Sequence, residues 1–552
     1  MCKKMIKGSI RSFTSIMVAL MMIMTLTGCG GGNGKSSEGT AEGTTTTQAQ
    51  AESTTATESE VQSTDGPMAP YPEEIEMVFG ATIDPNGEDH AKIKEKFGES
   101  IEDNRWTRLI KEKLNIKVKY KYLAGDSTYE DGLKLLMSAN DLPDYFAVLN
   151  WLDYQQMSEA GILAEMGPIF QQYATPFLKS KIEDEGPEVV YAPLKVNGKI
   201  YGIPRRGPST NGYTNLFVRQ DWLDKLSLEF PKTMDDVRKV AEAFKNNDPD
   251  GNKVNDTVGL GISNNYLHDG LTGSHAALFW AFGSYPNIWV EDNGNLMYGT
   301  LMPQTKNVLK FLADLYNNNL IDREFATYDE WSKLGEQIVS GKCGMFYGHH
   351  WRAANGNDVK VGINPGIDAA TVALKSAKHP EALVKIYNLI FEKIFGETAE
   401  YKYWEDGGFT FGRSGPLASL DPYVDLDAHS AMVDAVKNGT TDKLTGTAAG
   451  FYKNITEDKN DAVRIMFGWE NSCFNYIWEN YPGNVIWNAF YSRPTETQKT
   501  NWTSMEELID TTFLKFIQGK EDIDSGFDAL VNKWMEMGGS KITEEIKNEK
   551  SK

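Results

Sequence analysis

Between Ile75 and Leu149 the hydrophobic period of this chain switches repeatedly between two values, and that alternation narrows the fold more than any other feature. Ile75-Glu76-Met77-Val78-Phe79 reads as a short strand, Trp106, Leu109, Ile110 and Leu114 have helical spacing, and Ile116, Val118 and Tyr120 alternate with lysines as a strand does. A helix carrying Leu133, Leu135, Leu136 and Met137 is predicted to end before Pro143, and Tyr145 to Leu149 reads as a buried strand. Strand, helix, strand, helix, strand is the signature of a mostly parallel α/β sheet. Lys199-Ile200-Tyr201-Gly202-Ile203, stopped by Pro204, marks where the chain leaves this first lobe. The pattern then restarts. Thr233 with Asp236 caps a helix whose apolar face is Val237, Val240, Ala241 and Phe244, and Val308, Phe311, Leu312 and Leu315 form another face. Near the end, Ser504 and Glu507 are read as a capping box before Leu508, Phe513, Phe516 and Ile517, with Gly519 as the stop. A last helix carries Phe527, Leu530, Val531, Trp534 and Met535 and is expected to end at Gly538-Gly539. Trp222 and Trp534 lie on helical faces and are assigned to the core. The stretch from Pro70 to Lys552 exceeds the roughly 250–300 residues at which a single core stops growing, so at least two lobes are expected.

The first seventy residues have a different physics. Lys3, Lys4, Lys7 and Arg11 precede an apolar run from Ile16 to Leu26, which is a secretory signal. The run falls short of the roughly 20 apolar residues an ordinary transmembrane anchor needs. Leu26-Thr27-Gly28-Cys29 resembles the lipobox of bacterial lipoproteins, and the resemblance implies cleavage before Cys29 and acyl chains on that cysteine. Gly30 to about Gly66 is almost all Gly, Ser, Thr, Glu, Gln and Ala without an aromatic residue, so it cannot build a core. It reads as a flexible tether with a reach of roughly 35 Å. The formal charge of −21 argues against nucleic acid or anionic lipid headgroups as partners, because phosphate binding needs a basic patch. Once Cys2 leaves with the signal and Cys29 carries lipid, Cys343 and Cys473 remain, either as one disulfide or as two buried thiols.

Four segments carry a wider resemblance: Asn197-Gly198-Lys199-Ile200-Tyr201-Gly202-Ile203-Pro204, Val218-Arg219-Gln220-Asp221-Trp222-Leu223-Asp224-Lys225-Leu226, Gly341-Lys342-Cys343-Gly344-Met345 and Gly526-Phe527-Asp528-Ala529-Leu530-Val531. In this order the chain resembles the extracellular solute-binding lipoproteins of ABC importers, in the oligosaccharide-binding branch similar to alginate- and maltose-binding proteins. The resemblance implies an α/β fold of the periplasmic-binding-protein-like type II, with two α/β lobes, a hinge and a ligand cleft between them. The division expected is 1–28 signal peptide, 29–69 lipidated cysteine and linker, 70–205 and 353–410 first lobe, and 206–352 and 411–552 second lobe. The function implied is capture of an oligosaccharide and delivery to an ABC permease by a monomer held at the extracellular face of the cytoplasmic membrane. A lipid-anchored carbohydrate-active enzyme and a surface adhesin are the alternatives.

Asp248-Pro249-Asp250-Gly251-Asn252-Lys253-Val254-Asn255-Asp256 places oxygen ligands at positions one, three, five and nine of an EF-hand-like loop. Asp248, Asp250, Asn252 and Asp256 would give side-chain oxygens and Val254 its carbonyl to a structural Ca²⁺. Position six is Lys253 where glycine is usual, and position twelve is Gly259 rather than a bidentate Glu, so a plain polar turn is the alternative. Sugar recognition needs flat aromatic faces and a few polar groups. Trp351 follows a buried-looking segment, as a ligand-stacking tryptophan does in the maltose-binding protein that the chain resembles. Trp151 and Asp153 sit just past a predicted strand's carboxyl end, where open α/β sheets bind ligands. Trp280, Tyr213, Arg206 and Trp469 complete the candidates, each with core or hinge packing as the alternative. His349-His350 lacks the accompanying ligands of a zinc site, and no G-x-S-x-G elbow is present.

Overall fold

The structure, a computed structural model, describes residues 65–550 except 208–213, 268–275, 293, 330–332, 350–360, 364, 407–408, 413, 418–420, 422, 458–460, 471, 473, 476 and 478–484. Five strands make the main sheet, in the order Ile116–Leu123, Ile75–Ala81, Tyr145–Val148, Ile367–Ala373, Gly202–Arg206. Ile75–Ala81 runs parallel to both of its neighbours, whereas Ile367–Ala373 is antiparallel to the strands on either side. The strands end where they do for local reasons. Asn104 caps helix Arg105–Leu114 by accepting the N–H groups of Trp106 and Thr107, and Asn115, at φ +57, turns the chain straight into the next strand. Trp106, Leu109, Ile110 and Leu114 are the buried face, as their spacing requires.

Pro204 does not stop a strand. Lys199–Ile200 folds back on Lys195–Val196 through Asn197 and Gly198, both at positive φ, and the chain then re-enters the main sheet as Gly202–Arg206 with Pro204 opposite Ala370. This strand is at the edge of the sheet, the place in a sheet where a proline, which lacks an N–H, is tolerated.

Two separate apolar cores follow from this path. One gathers residues between Met77 and Ile203 and again between Ile367 and Leu417; the other gathers Leu216 to Tyr347 and Ala428 to Ile546. In the second lobe Thr214–Val218 pairs antiparallel with Met345–His349, and Val258 and Gly261 bridge in parallel to Cys343 and Phe346. Trp222 and Trp534 are fully buried there. Thr233 and Asp236 form a reciprocal capping box, and Val237, Val240, Ala241 and Phe244 are buried. The late capping box lies earlier than expected: Thr495 and Gln498 form it, and the helix Glu496–Ile517 runs through Ser504. Pro494, just before that cap, marks the start, whereas Ser504 and Glu507 fall mid-helix. Gly538, at φ +140, does not end the helical region but turns Ile523–Trp534 into a further helix, Ser540–Lys550. Cys343 is a buried free thiol whose Sγ–H donates to the carbonyl of Met345; Cys473 lies outside the described residues.

Candidate ligand cleft

The carboxyl ends of Ile75–Ala81, Tyr145–Val148 and Gly202–Arg206, together with the start of the antiparallel Ile367–Ala373, lie at one end of the main sheet. Brought together there are Thr82 and Ile83, the Asn150 cap with Trp151, Arg205, and Gly415 to Leu417 from the returning chain. Open α/β sheets bind ligands at this end. Gly80 is required by closeness: a Cβ on it would lie 2.8 Å from the Pro143 ring.

Helix Trp151–Glu159 begins at this rim because Asn150 accepts the N–H groups of Leu152 and Asp153. Trp151 is half-buried, edge-on to Tyr154 with ring centroids 6.1 Å apart. Asp153 faces Lys134 at 3.5 Å. Arg206 is fully enclosed, paired with Asp184 at 2.7 Å and Glu185 at 3.0 Å, and it therefore serves as the counter-charge of a buried acidic pair. Burial pushes the Asp184 carboxyl up to about 6, outweighing the pull of Arg206. Trp280 is buried in helix Ala276–Ala281 within the second core, and Trp469 lies half-buried on that core beside Tyr452. Tyr213, Trp351 and Cys29 lie outside the described residues.

Sequence reading missed the neighbour of Arg206. Arg205 meets Asp368 at 2.7 Å across adjacent strands, at the cleft end, from 163 residues away. The signal available was the pair of consecutive arginines, which in a strand point to opposite faces. Sequence reading also passed over Tyr491, whose hydroxyl donates to the Ile367 carbonyl and whose segment ties the second lobe back to the first. These groups offer donors, acceptors and aromatic edges, the chemistry a hydroxyl-rich solute meets.

The acidic loop after helix Met234–Asn246 has the backbone of an EF-hand start. Lys253 adopts φ +65, the left-handed conformation position six requires, and the Asp248 carboxylate accepts the N–H groups of Gly251 and Lys253. Asn252 Nδ2 donates to Asp250 at 2.8 Å and Asp256 at 3.1 Å, so an amide N–H₂ stands between the carboxylates a cation would bridge. Val254 is exposed, and its N–H donates to Asn252 Oδ1. Among the described residues no group of three or more His, Cys, Asp or Glu side chains is gathered as a metal cluster. The donor types and the backbone fit Ca²⁺; the side chains are engaged with one another.

A family model for bacterial extracellular solute-binding proteins matches residues 89–392. The chain is 22% identical over 452 residues to the polygalacturonan/rhamnogalacturonan-binding protein YtcQ of Bacillus subtilis, covering 76% of this chain and 83% of that protein. It is 30% identical over 227 residues to the lipoprotein LipO of the same organism, covering 40% of this chain and 42% of LipO. Among solved structures, the EF-hand mutant of the S. pneumoniae ABC-transporter substrate binding protein FusA, in complex with fructo-nystose, matches with a TM-score of 0.59 at 21% identity, covering 86% of this chain and 99% of that one. That likeness gives the fold: two α/β lobes of the type II periplasmic-binding-protein class, built around the five-stranded order above. Proteins of this family bind solutes rather than transform them. With the family model spanning more than half of its length, this chain belongs to the bacterial extracellular solute-binding proteins, and its role is to bind a substrate.

Proposed function

We propose that this protein is the lipid-anchored receptor of an ABC importer, that it captures an oligosaccharide between its lobes as a monomer, and that it hands the sugar to a membrane permease. The observation that carries the reading is the pair of separate cores joined by several chain crossings, with Arg205 and Thr82 lining a pocket at the carboxyl end of the first-lobe sheet and the helix that begins at Trp151 starting there. Such a body closes on a ligand by turning one lobe against the other. The glycan-binding relative YtcQ and the fructo-nystose complex of FusA support an oligosaccharide as the ligand. Cys29, behind the secretory run, takes the lipid, and LipO is a lipoprotein relative. Asp248, Asp250, Asn252, Asp256 and the Val254 carbonyl hold a structural Ca²⁺ once Asn252 turns its amide oxygen inward; the left-handed Lys253 and the EF-hand of FusA support this.

Calorimetry of the soluble body against nystose, oligogalacturonides and laminari-oligosaccharides should give saturable heat with at least one series. Bound sugar at 100 times its Kd should also raise stability by roughly 2.7 kcal/mol. Conversion of a glycan to products without saturable binding would replace the receptor with an enzyme. Calcium should raise the melting temperature of the native chain but not of Asp250→Ala.

A further inference from the structure

A second cavity, of about 330 Å³, is built by both lobes. Leu152, at the start of the helix that opens at the cleft, supplies the first-lobe wall. Trp289 and Trp502 supply aromatic surface from the second lobe, and Tyr491, packed against the first core, closes the wall between them. These rings are held from behind: Trp289 and Trp502 each lie 6.3 Å from the buried Trp534 ring. The volume falls within the range of small-molecule pockets. A stiff aromatic wall of this kind suits the apolar face of a sugar ring.

The polar lining has a sign. Lys499 and Gln498, both on the first turn of helix Glu496–Ile517, line the cavity, and no carboxylate does so among the described residues. Gln498 spends its Oε1 on the Thr495 N–H, which leaves amide hydrogens to donate. Lys499 is 18% exposed and pairs at 2.6 Å with Glu496, which is 80% exposed. A pair with so wet a partner is weak, so Lys499 exchanges it readily for a desolvated anion. In a chain of net charge −21, a pocket lined by one cation and no anion selects against the protein's own charge.

We propose that this cavity is a subsite for an acidic sugar residue of the bound glycan, with the ring on the aromatic wall and the carboxylate on Lys499. The proposal rests on the oligosaccharide reading above and adds a charge preference to it. The test is calorimetry of the full soluble body with α-1,4-linked trigalacturonate and with neutral α-1,4-linked galactotriose, at low salt. The native protein should bind the acidic probe at least tenfold more tightly. Lys499→Met should cut the ratio of acidic to neutral affinity about tenfold, and Leu152→Trp, which fills the cavity from the other lobe, should weaken the acidic probe without lowering the melting temperature. Equal native affinities, or an unchanged ratio in Lys499→Met, would overturn the subsite while leaving the receptor reading in place. No heat with these two probes or with any glycan of the wider panel would overturn both.

Discussion

Arg206 is the residue whose removal tests the lobe junction most sharply. Its guanidinium pairs with both Asp184 and Glu185, and Glu185 is nearly as buried as the arginine itself. Arg206→Met keeps the apolar stem and deletes the charge that faces the two carboxylates. Breaking a buried pair from one side costs about 3–5 kcal/mol. Part of that cost depends on pH. With Arg206 present the Asp184 carboxyl already sits at about 6, above its ordinary value, and without the guanidinium it rises further. A carboxyl raised in the folded state contributes stability that is complete below its unfolded pKa, near 4, and is lost as pH climbs through the folded value. The variant's deficit should therefore be smaller at pH 5 than at pH 8. Two pH units of forced ionisation amount to about 3 kcal/mol, or about 2 kcal/mol after discounting for the solvent that still reaches Asp184. That is about 4–8 °C of extra melting-temperature loss at pH 8 for a unit the size of one lobe. Thermal unfolding followed by circular dichroism at both pH values measures it, and adding Asp184→Asn and Glu185→Gln to the variant should restore most of the loss. The same drop at pH 5 and pH 8, with no rescue, would refute the assignment of Arg206 as a buried counter-charge.

The start of helix Val424–Asn438 should show a related pH dependence. Burial, helped by the neighbouring Asp421, pushes Asp425 up to about 7, so it destabilises the fold progressively from pH 4 to pH 7. Asp425→Asn should flatten that decline, and differential scanning at pH 5 and pH 8 reads it; an unchanged slope would show that another group titrates. Cys343, pushed up to about 12 by burial, should resist a disulfide reagent in the native Cys2→Ser/Cys29→Ser/Cys473→Ser variant and react fully in urea.

What the sequence made legible was local. The Thr233 box, the buried faces of Arg105–Leu114 and Met234–Asn246, and the start of the main sheet follow from spacings within one turn or one strand. Pro204 was misread because a proline's tolerance depends on whether its strand is at an edge, which only the return of Ile367–Ala373 decides. The late capping box was misplaced because Ser504-x-x-Glu507 and Thr495-x-x-Gln498 are equivalent as patterns; Pro494 separates them. Arg205 and Asp368 meet through sheet register rather than sequence, so no spacing announces the pair. Lys253 shows the opposite case: its side chain breaks the glycine rule of the loop while its backbone obeys it. The N–H groups of Gly251 and of Lys253 itself, both donating to Asp248, help hold that strained conformation.

At the far end of the first lobe, Asn388 Nδ2 donates to the Pro67 carbonyl, Lys385 Nζ donates to the Ala69 carbonyl, and Asp65 accepts from the Tyr173 hydroxyl. Helix Pro380–Phe395 therefore grips the chain as it enters the fold. Mechanically, this is a clamp. Force applied to the chain at Asp65 would fall first on these three hydrogen bonds, all of them made with first-lobe side chains.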